Sequence, residues 1–190
     1  VVMTSRHHER ATDRVQEAVE LLRPDMEENN VVMMIQGDEL LVEPGMISEV
    51  LETQKKSGAR VVNFGSRLEP EDHKDPNTVK LVAAPDGNIL YFSRAPIPSM
   101  TQSNQVHAYQ QTGIMAFTFG FLVWFAKQPQ TPLEIIESVD MLRVLEHGLT
   151  IQVVLSQKTT LGVDTPADRE RGEYLLKQDP FTDLYLDTGQ

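Results

Sequence analysis

Two aspartates stand just beyond short apolar runs: Asp38 in "VVMMIQGDELL" (residues 31–41) and Asp164 in "LGVDTPADRERG" (residues 161–172). In an open α/β sheet, the carboxyl end of a strand is where ligands bind. Two carboxylates brought to one cleft from distant strand ends have the hard oxygen donors that Mg²⁺ takes together with substrate phosphates and water. The same residues suit a plainer task. Asp38 fits a polar turn that caps the next helix, and Asp164 or Thr165 fits a helix N-cap worth about 1 kcal/mol. Spacing leaves both readings open. Among the cations, Arg14, Lys80 and Arg94 fall beside strand or loop ends, where a solvated surface charge is the ordinary case. Arg94 in "YFSRAPIP" is the exception, since a guanidinium there can grip a carboxylate in bidentate fashion.

Other chemistries lose ground. The histidines, His7, His8, His73, His107 and His147, show no metal-ligand spacing. No GxSxG elbow, GxGxxG turn or GxxxxGK[ST] loop occurs, which counts against a serine hydrolase, a dinucleotide-binding dehydrogenase and a P-loop ATPase. With no cysteine among 190 residues there is no disulfide framework and no thiolate zinc site, which accords with a cytoplasmic protein. A formal net charge of −11 disfavours nucleic acid as a partner. A small anionic substrate is still accommodated, because a divalent cation reverses the local sign. No apolar run is long enough to insert in a membrane.

Val1–Met3 suggests a short strand. Val15, Ala18, Val19 and Leu22 recur at helical spacing, with Pro24 closing the segment. Strand 31–35 comes next, then a helix entered at Pro44 and stopped at Gly58, then a strand in "ARVVNFGS". This alternation predicts a mostly parallel sheet with helices on both faces. Pro85-Asp86-Gly87-Asn88 between two strand-like runs predicts a hairpin lobe inserted over about 77–98. Residues 99–111 read as a polar loop, "TGIMAFTF" as a strand and "FGFLVWFAKQ" as a short apolar helix. "TPLEIIESVDMLRVLEHG" (131–148) reads as one long helix, capped by Thr131 and Glu134. "LTIQVVLS" is a strand and "ADRERGEYLLKQ" a last helix. The whole reads as a single domain. Because the chain opens on Val1 with a strand-like run, a fragment of a longer protein is the favoured reading over a processed form.

Seven segments, in order, carry a resemblance: "MTSRHHERATDRV", "IQGDE", "DPNTVKLV", "GNILYFSRAPIP", "GIMAF", "TPLEIIESVDMLRVLEHG" and "GVDTPADRERG". Together they resemble the 3-deoxy-manno-octulosonate (Kdo) cytidylyltransferases. The resemblance implies a Rossmann-like nucleotide-diphospho-sugar transferase fold. It implies transfer of CMP from CTP to the anomeric hydroxyl of a 3-deoxy-2-keto sugar acid, for lipopolysaccharide synthesis. It also implies a homodimer. By position, Asp38 and Asp164 become the catalytic Mg²⁺ ligands. His8, Thr12, Asp13 and Arg14 fall near the cytidine, Gln36 between nucleotide and sugar, and Arg94 against the sugar acid.

Departures are as informative. The "ARxxSxRxPGK" loop with which that family opens, and which holds the triphosphate, has no counterpart here. The resemblance therefore implies a cytidylyltransferase domain over 1–190 without its N-terminal nucleotide-binding loop. On the sugar side, "QTGIM" replaces "HxGIY", giving Gln111 and Met115. "DMLR" replaces "EQLR", giving Asp140 and Met141. Losing polar atoms from a site built to bond hydroxyls costs specificity for those hydroxyls. The alternatives are thus a different sugar acid (amino-Kdo or sialic-acid-like) and a non-catalytic remnant that serves as an interaction subunit.

Overall fold

The computed structural model describes residues 1–99 and 107–186. In chain order the elements are α1 (Ala11–Leu22), β1 (Val31–Ile35), β2 (Glu39–Leu40), α2 (Pro44–Ser57), β3 (Val61–Arg67), β4 (Lys80–Ala83), β5 (Ile89–Ser93), β6 (Tyr109–Thr118), α3 (Phe119–Ala126), α4 (Pro132–Glu137), α5 (Leu142–Glu146), β7 (Gln152–Leu155), β8 (Leu161–Gly162), α6 (Pro166–Leu176) and α7 (Thr182–Leu186). A 3-10 turn at Asp72–Lys74 follows β3.

Alternation of side chains along the strands divides the apolar residues between two faces. Val32 and Met34 of β1, with Met115 and Phe117 of β6, join a cluster that includes Phe121, Leu122 and Phe125 of α3 and Leu142 and Val144 of α5. Val15 and Val19 of α1 pack against the same cluster. The residues between them in register, Met33 of β1 and Ile114 and Ala116 of β6, point the other way, onto Met46 and Val50 of α2. Helices therefore cover both faces, and the α/β class follows from period-2 strands carrying two apolar faces.

The sheet is mixed. β3 and β7 pair in parallel, while β6 runs antiparallel to β1, β3 and β4, and β5 antiparallel to β4. β1, β3, β4 and β7 consequently share one direction, but β1 and β3 are not neighbours as the sequence order predicts. β6 is inserted between them. One edge of β6 pairs with β3 over most of its length. Its other edge is divided: β4 takes Tyr109 and Gln110, β1 takes Ile114–Thr118, and residues 111–113 lie between the two.

Three further expectations are corrected. Val1–Met3 forms no strand, because no described strand pairs with it. Of the polar loop expected over 99–111, residues 100–106 lie outside the described residues. Tyr109–Gln111 belong to β6, held by pairing to β3 rather than by their own composition. The long helix expected over 131–148 is two helices, α4 and α5, parted at Ser138, whose φ of 53° and ψ of 45° are left-handed. The break has a cause. In one straight helix Glu134 and Arg143 would stand about 13 Å apart along the axis. Here Arg143 Nε and Nη2 donate to the two Glu134 carboxylate oxygens at 2.7 and 2.6 Å, with both residues buried.

Candidate active site

The gap on the edge of β6 opens into a cleft of about 340 Å³. Asp38, Glu39, Gln36, Arg94, Gln111, Met115, Asp140 and Asp164 all line it. A small second sheet builds its acidic end. β2 and β8 pair antiparallel, Glu39 opposite Gly162 and Leu40 opposite Leu161, and Val163 N donates to Asp38 O at 3.0 Å. Helix α6 seats tightly on this ribbon: a Cβ on Gly172 would come within 2.6 Å of Leu40 Cδ1. Asp38 and Asp164, 126 positions apart in the sequence, are thereby carried on adjacent strand ends.

Neither aspartate serves as a helix cap. Asp38 does not cap α2, whose N-cap is Glu43. Asp164 does not cap α6 either: Thr165 Oγ1 accepts from Asp168 N at 3.2 Å, and Asp168 Oδ2 accepts from Thr165 N at 2.8 Å. Asp168 is the spent carboxylate, held below the usual range by its bond from the Thr165 hydroxyl. Among the described residues, neither the Asp38 nor the Asp164 carboxylate has a hydrogen-bond or ion-pair partner, and both are exposed. Thr165→Ala should cost about 1 kcal/mol by urea denaturation. The Asp168 bond contributes stability above the unfolded carboxyl pKa and loses it as pH falls through the depressed folded value. An unchanged urea midpoint in Thr165→Ala would remove the cap from the account.

Glu39 is a feature the sequence reading missed. Its Oε2 accepts from Gly113 N at 2.6 Å, tying β2 to the gap in β6. Burial pushes its carboxyl above the usual range against the hydrogen bonds from Thr160 and Gly113, and the charges of Asp38 and Asp164 add to the push. Gln36 lies on the other side of Gly113. Gln36 N donates to Gly113 O at 3.1 Å, and a Cβ on Gly113 would stand 2.6 Å from Gln36 Cβ. Behind the gap a register shift in β3 between Asn63 and Gly65 leaves carbonyls to be satisfied. Asn63 Nδ2 donates to Thr112 O and Ile114 O at 3.1 and 3.2 Å, and Thr112 Oγ1 donates to Phe64 O at 2.7 Å. Residues 111–113 are thus fixed from behind.

On the opposite wall Arg94 is engaged with backbone. Nε donates to Glu137 O at 2.7 Å and Nη1 to Pro76 O and Asn77 O at 2.9 and 3.1 Å, while Nη2 lies 3.5 Å from Ser138 O. The fork expected to grip a carboxylate is mostly spent, although its charge stays at the cleft. Lys80, expected as a surface charge, is wholly buried. Met141 is also wholly buried and does not reach the cleft.

Of the residues given a nucleotide role by position, His8, Thr12, Asp13 and Arg14 do not line the cleft. The cleft is lined from that segment by Glu9, Arg10 and Ala11. His8 Nε2 bonds Glu17 Oε2, and Arg14 Nη1 donates to Thr4 Oγ1 at 2.6 Å. Thr12 is buried and its hydroxyl bonds the Asp140 carboxylate, so one expected nucleotide contact and one expected sugar contact meet each other. Asp13 is half-buried beside them, and burial raises its carboxyl. Only Gln36, of the expected nucleotide residues, lines the cleft.

Among the described residues no group of three or more His, Cys, Asp or Glu side chains is arranged to hold a metal. The described lining carries eight acidic side chains against three arginines. An anionic substrate enters such a cleft in company with a cation. Two unpartnered carboxylates are a donor set that fits Mg²⁺, which takes its remaining ligands from phosphate and water. No helix of the described residues is long and apolar enough to cross a membrane.

A mixed α/β sheet with a cleft among its strand ends and two unpartnered acids at the rim suits an anionic ligand bound together with a cation. The comparisons narrow the class. The sequence pattern of the family described as "Cytidylyltransferase" matches residues 1–151. A 3-deoxy-manno-octulosonate cytidylyltransferase of Thermodesulfovibrio yellowstonii is 36% identical over 185 residues, spanning 92% of this chain and 72% of the relative. One from Anaeromyxobacter sp. is 41% identical over 170 residues, spanning 89% and 68%. A solved structure of CMP:2-keto-3-deoxy-manno-octonic acid synthetase complexed with CTP superposes with a TM-score of 0.80 at 28% identity, covering 93% of this chain and 72% of that one. The chain belongs to the cytidylyltransferase family.

Proposed function

We propose that this chain transfers CMP from CTP to the anomeric hydroxyl of Kdo, giving CMP-Kdo and pyrophosphate, with Mg²⁺ as cofactor. The observation that carries the reading is the pair of unpartnered carboxylates, Asp38 and Asp164, set side by side by the β2–β8 ribbon at the end of a strand-edge cleft. Relatives bearing the Kdo cytidylyltransferase name, and a CTP-bound structural neighbour, supply the substrates.

Asp38 and Asp164 would hold the ion, which when bound neutralises charge on the phosphates. The chain's own contribution is placement. Gln36 and Gln111 offer amide donors and acceptors on either side of the gap, and the Arg94 charge faces the acceptor's carboxylate. The anomeric oxygen forms a bond to the α-phosphorus, the bond to the β-phosphate oxygen breaks, pyrophosphate departs and the hydroxyl proton passes to solvent. The protein is proposed to work in the cytoplasm as a homodimer. Exposed Leu133, Ile135 and Ile136 of α4 and Leu90 of the hairpin are the apolar surface that supports pairing.

A second acceptor deserves a place in the same assay, because Met115 lines the cleft where the resemblance has a tyrosine. Pyrophosphate release should require CTP, Mg²⁺ and a sugar acid together, and should stop with a chelator. Kdo and amino-Kdo, compared by kcat/KM, decide between the acceptors. CTP binding without pyrophosphate from any sugar acid would refute the transferase reading.

A further inference from the structure

We infer that Lys80 is a positioning residue for the acceptor side of the cleft, an inference that rests on the transferase reading above. Its ammonium is enclosed at the start of β4, where Lys80 pairs with Ser93 on one side and Gln110 on the other. Its Nζ donates to Asp75 O at 2.7 Å, to Thr78 O at 2.6 Å and to Arg94 O at 2.6 Å. An ammonium has three N–H donors, and all are used on backbone.

Those carbonyls belong to one wall. Asp75, Asn77, Thr78 and Val79 line the cleft, and so does Arg94. Arg94 returns the tie by donating to Pro76 O and Asn77 O, and Gln111 N donates to Val79 O at 2.8 Å. Segment 75–79 has no helix or strand of its own to fix it. It is held between a lysine behind, an arginine above and the edge of β6. Burial lowers the lysine's affinity for its proton, with Arg94 adding to that effect and Asp75 and Glu137 opposing it. Placing a charge there costs free energy, which the carbonyls offset in this one geometry. A buried charge spent on loop carbonyls fixes a shape rather than filling space, and the shape is the wall beside Arg94 and Gln111.

The test compares wild type with Lys80→Met and with Lys80→Gln, which keeps an amide with two N–H donors. With CTP and Kdo, KM for Kdo should rise by about tenfold or more in Lys80→Met, by less in Lys80→Gln, while KM for CTP stays within about threefold. Amide hydrogen exchange provides a readout independent of turnover: the Gln111 amide, which bonds Val79 O, should lose protection in both variants while β1 and β3 amides keep theirs. Parallel rises in both KM values, or unchanged Gln111 exchange, would overturn the inference. If wild type shows no turnover with any sugar acid, the transferase reading fails, and the exchange result alone decides whether Lys80 holds the wall. If Lys80→Met does not fold, Lys80→Gln carries the comparison.

Discussion

Asp38→Asn should lower pyrophosphate release by at least about 10²-fold, because it removes charge where a cation and phosphates must be gathered. The change is isosteric and the residue is exposed without a bonding partner, so stability should stay within about 0.5 kcal/mol of wild type. Asp164→Asn should behave alike, and the double variant should be little worse than either single one. Groups that act as a unit are not additive. The comparison is made at saturating CTP and Kdo over a Mg²⁺ titration. A rate for Asp38→Asn within about tenfold of wild type at saturating metal would exclude Asp38 as a metal ligand.

The second large effect concerns the fold that presents the site. Arg143 bonds both oxygens of Glu134, and its Nη1 donates to Phe125 O and Gln128 O, both at 3.1 Å. Its guanidinium also lies 4.2 Å from the centre of the Phe125 ring. Arg143→Met takes the bidentate partner from the buried Glu134 carboxylate, which keeps only Thr131 N at 3.2 Å and Arg10 Nε at 3.6 Å, and removes the guanidinium from Gln128 O, and should cost about 3–5 kcal/mol. A typical domain has only about 5–15 kcal/mol to lose, so the urea midpoint should fall steeply. Glu134→Gln should be costly for the mirror-image reason, a buried guanidinium without its charge partner. Replacing both with Met should recover much of the loss, since a pair of apolar side chains has no desolvation to repay. A double variant as unstable as the sum of the singles would mean that the two residues act independently.

What could be read from the chain was local. α2 announces itself by Pro44 in its first turn and Met46 and Val50 on one face, and β1 by five consecutive apolar residues. The capping residues of α6 are three positions apart and needed no tertiary knowledge. The insertion of β6 between β1 and β3 was invisible, because each strand's own pattern is satisfied by a neighbour of either direction. The break at Ser138 was invisible for a different reason. The helical pattern of 131–148 is sound, and the break goes with the buried pairing of Arg143 with Glu134, which one straight helix would hold about 13 Å apart. In the site, Asp38 and Asp164 were found as acids after strands. Glu39 was missed although it stands next to Asp38, since nothing in "GDEL" says which acid turns inward. Thr12 and Asp140, given to a ligand by position, also bond each other and so dock α1 against the turn between α4 and α5, with Asp140 still in the lining of the cleft.

The divided edge of β6 has a mechanical consequence. β1 and the β4–β5 hairpin hang from the same side of one ten-residue strand, and β3 backs both. A slot cut into a continuous sheet has no hinge. Its two banks cannot swing apart as separate bodies without tearing the ladder that β6 makes with β3. The spacing of the banks is therefore set by the sheet itself. Arg171 of α6 and Asp72 of the 3-10 turn both line the cleft and pair at 3.0 Å. An exposed pair of this kind holds by about 1 kcal/mol or less. The sheet is the jig that holds both banks at one spacing.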